Sequence, residues 1–184
     1  EPFKIPSGSM KPNLLVGDFL FVSKWDYGYS RYSFPFGLPP FKGKIFESNP
    51  ERGDIIVFKL PGQENINYVK RLVGLPGETI KVVNGKIYLK TENSTDFEVL
   101  DQIEDGFFYD DQYGKEIQQL IENEYRILNI TNDGPLDYTP EYEIPKDKFF
   151  FMGDNRDNSS DSRILSGVGF VPKVNIVGKV WFIW

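Results

Sequence analysis

The decapeptide Ile80-Lys81-Val82-Val83-Asn84-Gly85-Lys86-Ile87-Tyr88-Leu89 reads as two short strands joined by an Asn-Gly turn. Asn-Gly tolerates positive φ at both central positions of a two-residue loop, so this stretch is committed to antiparallel pairing. Just upstream, Leu75-Pro76-Gly77 suits a type II turn, with proline pre-setting one φ and glycine taking the positive one. Strand character recurs at Asp18–Ser23, Asp54–Leu60, Asn65–Val73, Glu78–Val83, Lys86–Lys90, Tyr125–Ile130, Lys148–Met152 and Val177–Trp184. The aromatic content of 16% agrees, because aromatic rings fit a pleated, half-buried surface. The expectation is a mostly β, antiparallel protein.

A chain of 184 residues suggests one domain with room for an insertion. Residues 91–144 are more acidic and less apolar than the rest, with Asp101, Glu104, Asp105, Asp110, Asp111, Glu116, Glu122 and Glu124. They suggest a smaller lobe over 81–144 inserted between 1–80 and 145–184. One helix is expected in it: Ile117, Leu120 and Ile121 recur at helical spacing within 115–124. A second irregular stretch, Tyr32–Phe46, mixes prolines with aromatics and suits a packed loop or an exposed contact with substrate or membrane.

The chain contains neither histidine nor cysteine. A Ser-His-Asp triad is therefore excluded, as are a thiolate nucleophile and a disulfide framework. A net charge of −6 and a pI near 4.8 argue against nucleic-acid binding, which usually leaves a basic stripe. No run reaches the ~18 apolar residues of a membrane helix. The start at Glu1, without a secretory signal, suggests an excised portion, with any membrane anchor upstream.

A hydrolase built from these residues needs an unusual base, and a lysine can serve when burial favours its neutral amine. Lys70 has the setting for it. In an extended segment Ile66, Tyr68, Lys70 and Leu72 share one face, which is otherwise apolar. The alternative is a lysine whose stem packs while its head reaches water. Near the start, Pro6-Ser7-Gly8-Ser9-Met10 places two hydroxyls on one face if the segment is extended. One can attack a carbonyl while the other helps a backbone N–H hold the oxyanion. The alternative is a Gly/Ser turn or a helix cap ahead of Lys11-Pro12.

Gly153-Asp154-Asn155-Arg156-Asp157-Asn158-Ser159-Ser160-Asp161-Ser162-Arg163 is dense in Asn, Asp and Ser. As a calcium loop it fails, since counting from Asp157 the glycine and final glutamate positions hold Ser162 and Val168. It suits a hydrogen-bonded turn that turns Ser159 towards the lysine and pairs Asp161 with Arg163; an ordinary Asx-rich turn is the alternative. No metal or other cofactor is expected.

These segments occur in order with Gly17-Asp18-Phe19, Arg52-Gly53-Asp54-Ile55-Ile56-Val57-Phe58, Tyr68-Val69-Lys70-Arg71 and Gly74-Leu75-Pro76-Gly77. Together they resemble the bacterial type I signal peptidases, over 1–78 and about 145–184. The resemblance implies a barrel-like antiparallel β catalytic domain carrying an inserted smaller β (α+β) lobe. It implies Ser9 as nucleophile, Lys70 as general base, and Ser7 with the Ser9 N–H as oxyanion hole. It implies Ser159 as the serine that orients the lysine, supported by the Asp161–Arg163 pair. By the same alignment Met10, Leu14 and Tyr68 would line the pocket for the first residue before the cut. Phe3, Ile5, Val57 and Val69 would line the third. The implied substrates are preproteins carrying signal peptides, cut after small residues of the Ala-x-Ala type through an acyl-enzyme. The implied place is the outer face of the cytoplasmic membrane. Trp181, Phe182 and Trp184, or the Tyr32–Phe46 loop, are candidate lipid contacts, a buried terminal strand being the alternative. Oligomeric state is not readable. Two rival readings are a self-cleaving repressor-type Ser-Lys peptidase and an inactive β binding module. The first lacks its expected basic helical segment ahead of Ser9, and the second would fold but not cleave.

Overall fold

The computed structural model describes residues 2–23 and 49–183, with side chains for 3–23 and 49–181. The Tyr32–Phe46 loop and Trp184 lie outside the described residues. Within them every ladder is antiparallel, and the only helical pieces are short 3-10 turns.

The strands are β1 (Pro2–Lys4), β2 (Phe19–Ser23), β3 (Ile55–Leu60), β4 (Gln63–Gly74), β5 (Thr79–Val83), β6 (Lys86–Lys90), β7 (Glu98–Val99), β8 (Gln102–Asp110), β9 (Lys115–Glu122), β10 (Tyr125–Asn129), β11 (Tyr142–Glu143), β12 (Lys148–Met152), β13 (Val171–Pro172) and β14 (Ile176–Ile183). They form a seven-stranded sheet in the order β1-β2-β14-β3-β4-β12-β13. A four-stranded sheet, β11-β5-β6-β7, and a three-stranded sheet, β10-β9-β8, complete the architecture.

Both turn expectations hold. Asn84 and Gly85 have φ of 53° and 72°, the left-handed pair that a two-residue hairpin loop requires. Gly77 has φ of 84°, and Glu78 N donates to Leu75 O at 3.2 Å, closing the type II turn.

The strand β12 shows how the sheets share a core. Its run Phe149-Phe150-Phe151-Met152 is buried throughout. Phe149 and Phe151 pack with Ile56, Phe58, Leu72 and Ile176. Phe150 and Met152 pack with Val73, Ile80, Ile87 and Tyr142. A strand covered on both faces reads as a continuous apolar run, and this one ties the large sheet to the four-stranded one. A third cluster, Ile5, Met10, Leu14, Leu20, Val22, Val57 and Val177, lies under the N-terminal segment.

The helix expected over 115–124 is not present; Lys115–Glu122 is the central strand of the three-stranded sheet. It pairs β8 on one side and β10 on the other. Side chains two apart share a strand face, so Ile117 and Ile121 lie on one side and Leu120 on the other. Ile117 and Leu120 are both buried. Two covered faces of one strand thus imitated a single helical stripe. Turn chemistry closes the matter: Gly114 opens the strand at φ 61°, and Asn123 and Glu124 end it at φ 45° and 75°.

Candidate active site

Ser9 sits in a 3-10 turn, Gly8–Met10, directly after the extended Ser7. Of the two readings of Pro6–Met10, the turn is the one present from Gly8 on, and only Ser7 ahead of it is extended. The two hydroxyls still meet, with Ser7 Oγ and Ser9 Oγ 3.3 Å apart. Met10 and Leu14 anchor the turn in the apolar cluster beneath it. Asn155 straps it from the other side: its N–H donates to Ser9 O at 3.1 Å, and its Nδ2 to Gly8 O at 3.2 Å. The sequence had not singled out Asn155 for this, since the contact spans most of the chain.

Lys70 comes from β4, where it stands opposite Ile56 in the β3–β4 ladder. It is 4% exposed. Its Nζ lies 2.6 Å from Ser9 Oγ and 3.0 Å from Val69 O. The Tyr68 ring centroid is 5.4 Å away. No carboxylate forms an ion pair with it among the described residues. Burial disfavours the ammonium and pulls its pKa down to about 8, against the more distant charges of Asp161 and Asp154, which favour the cation.

The Gly153–Arg163 loop follows β12. Arg163 grips Asp161 with two bonds of 2.9 Å, from Nε and Nη2. Burial alone would push the Asp161 carboxyl up; the charge and hydrogen bonds of Arg163 outweigh it and hold the carboxyl below its ordinary range. Asp161 Oδ2 also accepts from Gly153 N at 3.1 Å. Ser159 is buried, and its hydroxyl lies close enough to Asp161 to favour the ionised carboxyl. It lies against Gly153, where an added β-carbon would collide with Ser159 Oγ and fall 2.6 Å from Ser9 O. Gly153 is therefore fixed by close approach. The hydrogen bonds of Lys70 go to Ser9 and Val69, and Ser159 is not one of its partners.

Two further buried ion pairs hold this loop in place. Arg71 binds Asp154 through Nε and Nη2, both at 2.7 Å, and its guanidinium lies 4.0 Å from the Tyr125 ring centroid. Arg156 binds Glu122 of β9 at 2.8 and 2.5 Å. Burial opposes both of those charges, and their mutual attraction keeps both ionised. The backbone adds an isolated parallel bridge between Leu128 and Asn155. Part of the acidic stretch is therefore internal, since Asp110 and Glu122 are fully buried.

A cleft of about 640 Å³ opens over Ser9 and Lys70. Of the expected pocket residues, Ile5, Met10, Tyr68 and Val69 line it. Leu14 and Val57 are buried in the cluster under it, with Phe3 packed against that cluster, and none of these three is a lining residue. Gln112, Asn158 and Ser160 line it as well and were not anticipated. Among the described residues no group of carboxylates is arranged to hold a metal ion.

Residues 1–184 match the family described as signal peptidase, peptidase S26. Signal peptidase I of Rickettsia typhi is 40% identical over 195 aligned residues, covering all of this chain and 71% of that protein. The Rickettsia canadensis signal peptidase I is 38% identical over 196, with the same coverage. A crystal structure of a signal peptidase I from Enterococcus faecalis is 26% identical, covers 73% of this chain and 98% of its own, and superposes with a TM-score of 0.46. The full-length family match and the 40% identity make this chain a member of the peptidase S26 family of signal peptidases.

Proposed function

We propose that Ser9 and Lys70 form the catalytic dyad of this serine endopeptidase, which is of the signal peptidase I type and acts on signal peptides. The observation that carries this reading is the buried, carboxylate-free lysine amine 2.6 Å from a serine hydroxyl. The neutral Lys70 amine accepts the Ser9 proton as Ser9 Oγ bonds to the scissile carbonyl carbon. The oxyanion accepts from the Ser9 N–H and the Ser7 hydroxyl. The Lys70 ammonium then protonates the leaving amine as the C–N bond breaks, leaving an ester on Ser9. Lys70 next takes a proton from water as the water oxygen attacks the ester, and returns it to Ser9 Oγ as the C–O bond breaks and the acid product leaves. With a pKa near 8, roughly a tenth of Lys70 is neutral at pH 7.

Asp161 and Arg163 would keep the loop rigid beside the dyad. Ser159, a buried hydroxyl packed against Gly153 and beside Asp161, would turn to the amine during the reaction. Preproteins would enter as an extended strand with alternate small side chains facing Ile5, Met10, Tyr68 and Val69. Residues 1–80 and 145–184 would form the barrel-like catalytic part, with 81–144 as an inserted lobe.

Among the described residues no helix is long and apolar enough to cross a membrane. Along β2 the side chains alternate, and Phe19 and Phe21 face outward beside exposed Leu15, Val16 and Trp181. This apolar edge would meet lipid at the outer face of the cytoplasmic membrane.

The test is cleavage of a preprotein whose signal ends in Ala-x-Ala, in detergent or lipid. Cutting after the second Ala by the wild type, lost in folded Ser9→Ala and Lys70→Ala, is the expected result. Cutting that survives either substitution would reject the dyad.

A further inference from the structure

Gln112, at the tip of the β8–β9 hairpin, lines the cleft with Ser7, Gly8, Ser9 and Lys70. Its Oε1 lies 3.6 Å from where a β-carbon on Gly8 would stand. The stem of Lys11 occupies the same space, with Cε and Cδ at 3.1 and 3.3 Å. That stem runs to Asp110, where Lys11 Nζ donates to Oδ1 at 2.7 Å. The same oxygen accepts from Gln112 N at 2.9 Å. Tyr113 N and Gly114 N both donate to Asp110 O, at 3.1 and 2.8 Å. Asp110 is fully buried. A residue two positions after Ser9 and one two positions before Gln112 thus share a buried ion pair, and the hairpin tip is fastened to the nucleophile turn. The Gln112 side-chain amide itself is exposed and makes no hydrogen bond among the described residues.

We propose that Gln112 binds the backbone of the substrate segment that follows the cut bond, so that the β8–β9 tip is the wall of the cleft for the leaving peptide. The proposal rests on the reading of Ser9 as nucleophile. The apolar lining, Ile5, Met10, Tyr68 and Val69, suits side chains before the cut. Polar groups line the cleft too: Asn67 on β4, and Gln112, Asn158 and Ser160 from the hairpin tip and the 153–163 loop. The start of a mature protein differs from one preprotein to the next, so a general enzyme can grip it only by its backbone. A glutamine amide has an acceptor and two donors, the complement of a peptide unit. Fastening the tip through Lys11–Asp110 lowers the entropy lost when that amide engages.

The experiment compares kcat/KM for two substrates with the same residues before the cut. One extends four residues beyond it; the other ends there in a fluorogenic amine. In Gln112→Ala the ratio of extended to truncated substrate falls roughly three- to tenfold, the worth of a hydrogen bond or so. In Gln112→Glu the preference for Lys over Glu at the second residue after the cut rises a few-fold. An unchanged ratio in Gln112→Ala overturns the proposal, and so does an equal loss on both substrates, which would place the residue on the acyl side. A truncated substrate cleaved equally by wild type and Ser9→Ala would locate the failure in the Ser9 reading, and the wall would fall with it.

Discussion

Lys70 and Arg71 are neighbours on β4 and are both buried cations, at 4% and 6% exposure. They meet opposite fates. Arg71 faces the Asp154 carboxylate at 2.7 Å through two nitrogens, with Gly53 O at 2.6 Å and the Tyr125 ring completing its surroundings. Lys70 faces a hydroxyl and a carbonyl, and its nearest carboxylates act only from a distance. Burial alone therefore does not decide what a basic residue does. The partner does: a paired guanidinium is a structural tie, and an amine without a carboxylate partner has its pKa lowered, as the proposed base requires. The side chains are suited to these tasks, since guanidinium binds carboxylate in a bidentate fork and amine loses its proton readily when desolvated.

The contrast can be broken most forcefully on the Arg71 side. Asp154→Ala strands a buried guanidinium, and urea denaturation should show a loss of about 3–5 kcal/mol. The double substitution Arg71→Met with Asp154→Leu should recover much of that loss, because no unpaired charge remains.

On the Lys70 side the sign reverses. The folded pKa of about 8 lies below the 10.5 of an exposed lysine, so the unfolded chain binds the proton more tightly. The penalty is complete below pH 8 and disappears as pH rises from about 8 to 10.5. Lys70→Met should therefore raise stability at pH 7 by about 3 kcal/mol and abolish cleavage. That gain should fade when unfolding is measured across the same pH window. A Lys70→Met protein no more stable than wild type at pH 7 would mean that the amine is not desolvated.

Removing the charge of Asp161 should have a smaller effect. Asp161 raises the Lys70 pKa, so Asp161→Asn should move the acid limb of the kcat/KM profile to lower pH. The smallest effect belongs to a pair that is neither buried nor catalytic. Lys81–Glu141, at 2.8 Å on the surface of the four-stranded sheet, should contribute under ~1 kcal/mol in a double-mutant cycle and less in high salt.

Local chemistry was legible in the sequence, and contacts distant along the chain were not. Pro76-Gly77 and Asn84-Gly85 announce their turns because backbone sterics act within a few residues. Lys70 could be singled out by strand alternation, and Ser7 and Ser9 by spacing, although the hydroxyls meet across a 3-10 turn and not along the extended segment that the spacing argument assumed. The strand β9 was misread because covered faces on both sides mixed its period. Asn155 on Gly8, Arg156 on Glu122 and Gln112 beside Gly8 escaped for one reason: each joins segments far apart in the chain, namely the 153–163 loop, the three-stranded sheet and the Gly8–Met10 turn. The acidic stretch looked like a solvated face, and only packing reveals that Asp110 and Glu122 are internal.

The central claim is that Lys70, made neutral by burial, is the base for Ser9. Its most direct measurement is the pH dependence of kcat/KM for a signal-peptide substrate. An acid limb with a midpoint near pH 8, reporting the free enzyme's base, is expected. A limb near 10.5, or a profile flat from pH 6 to 9, would contradict it.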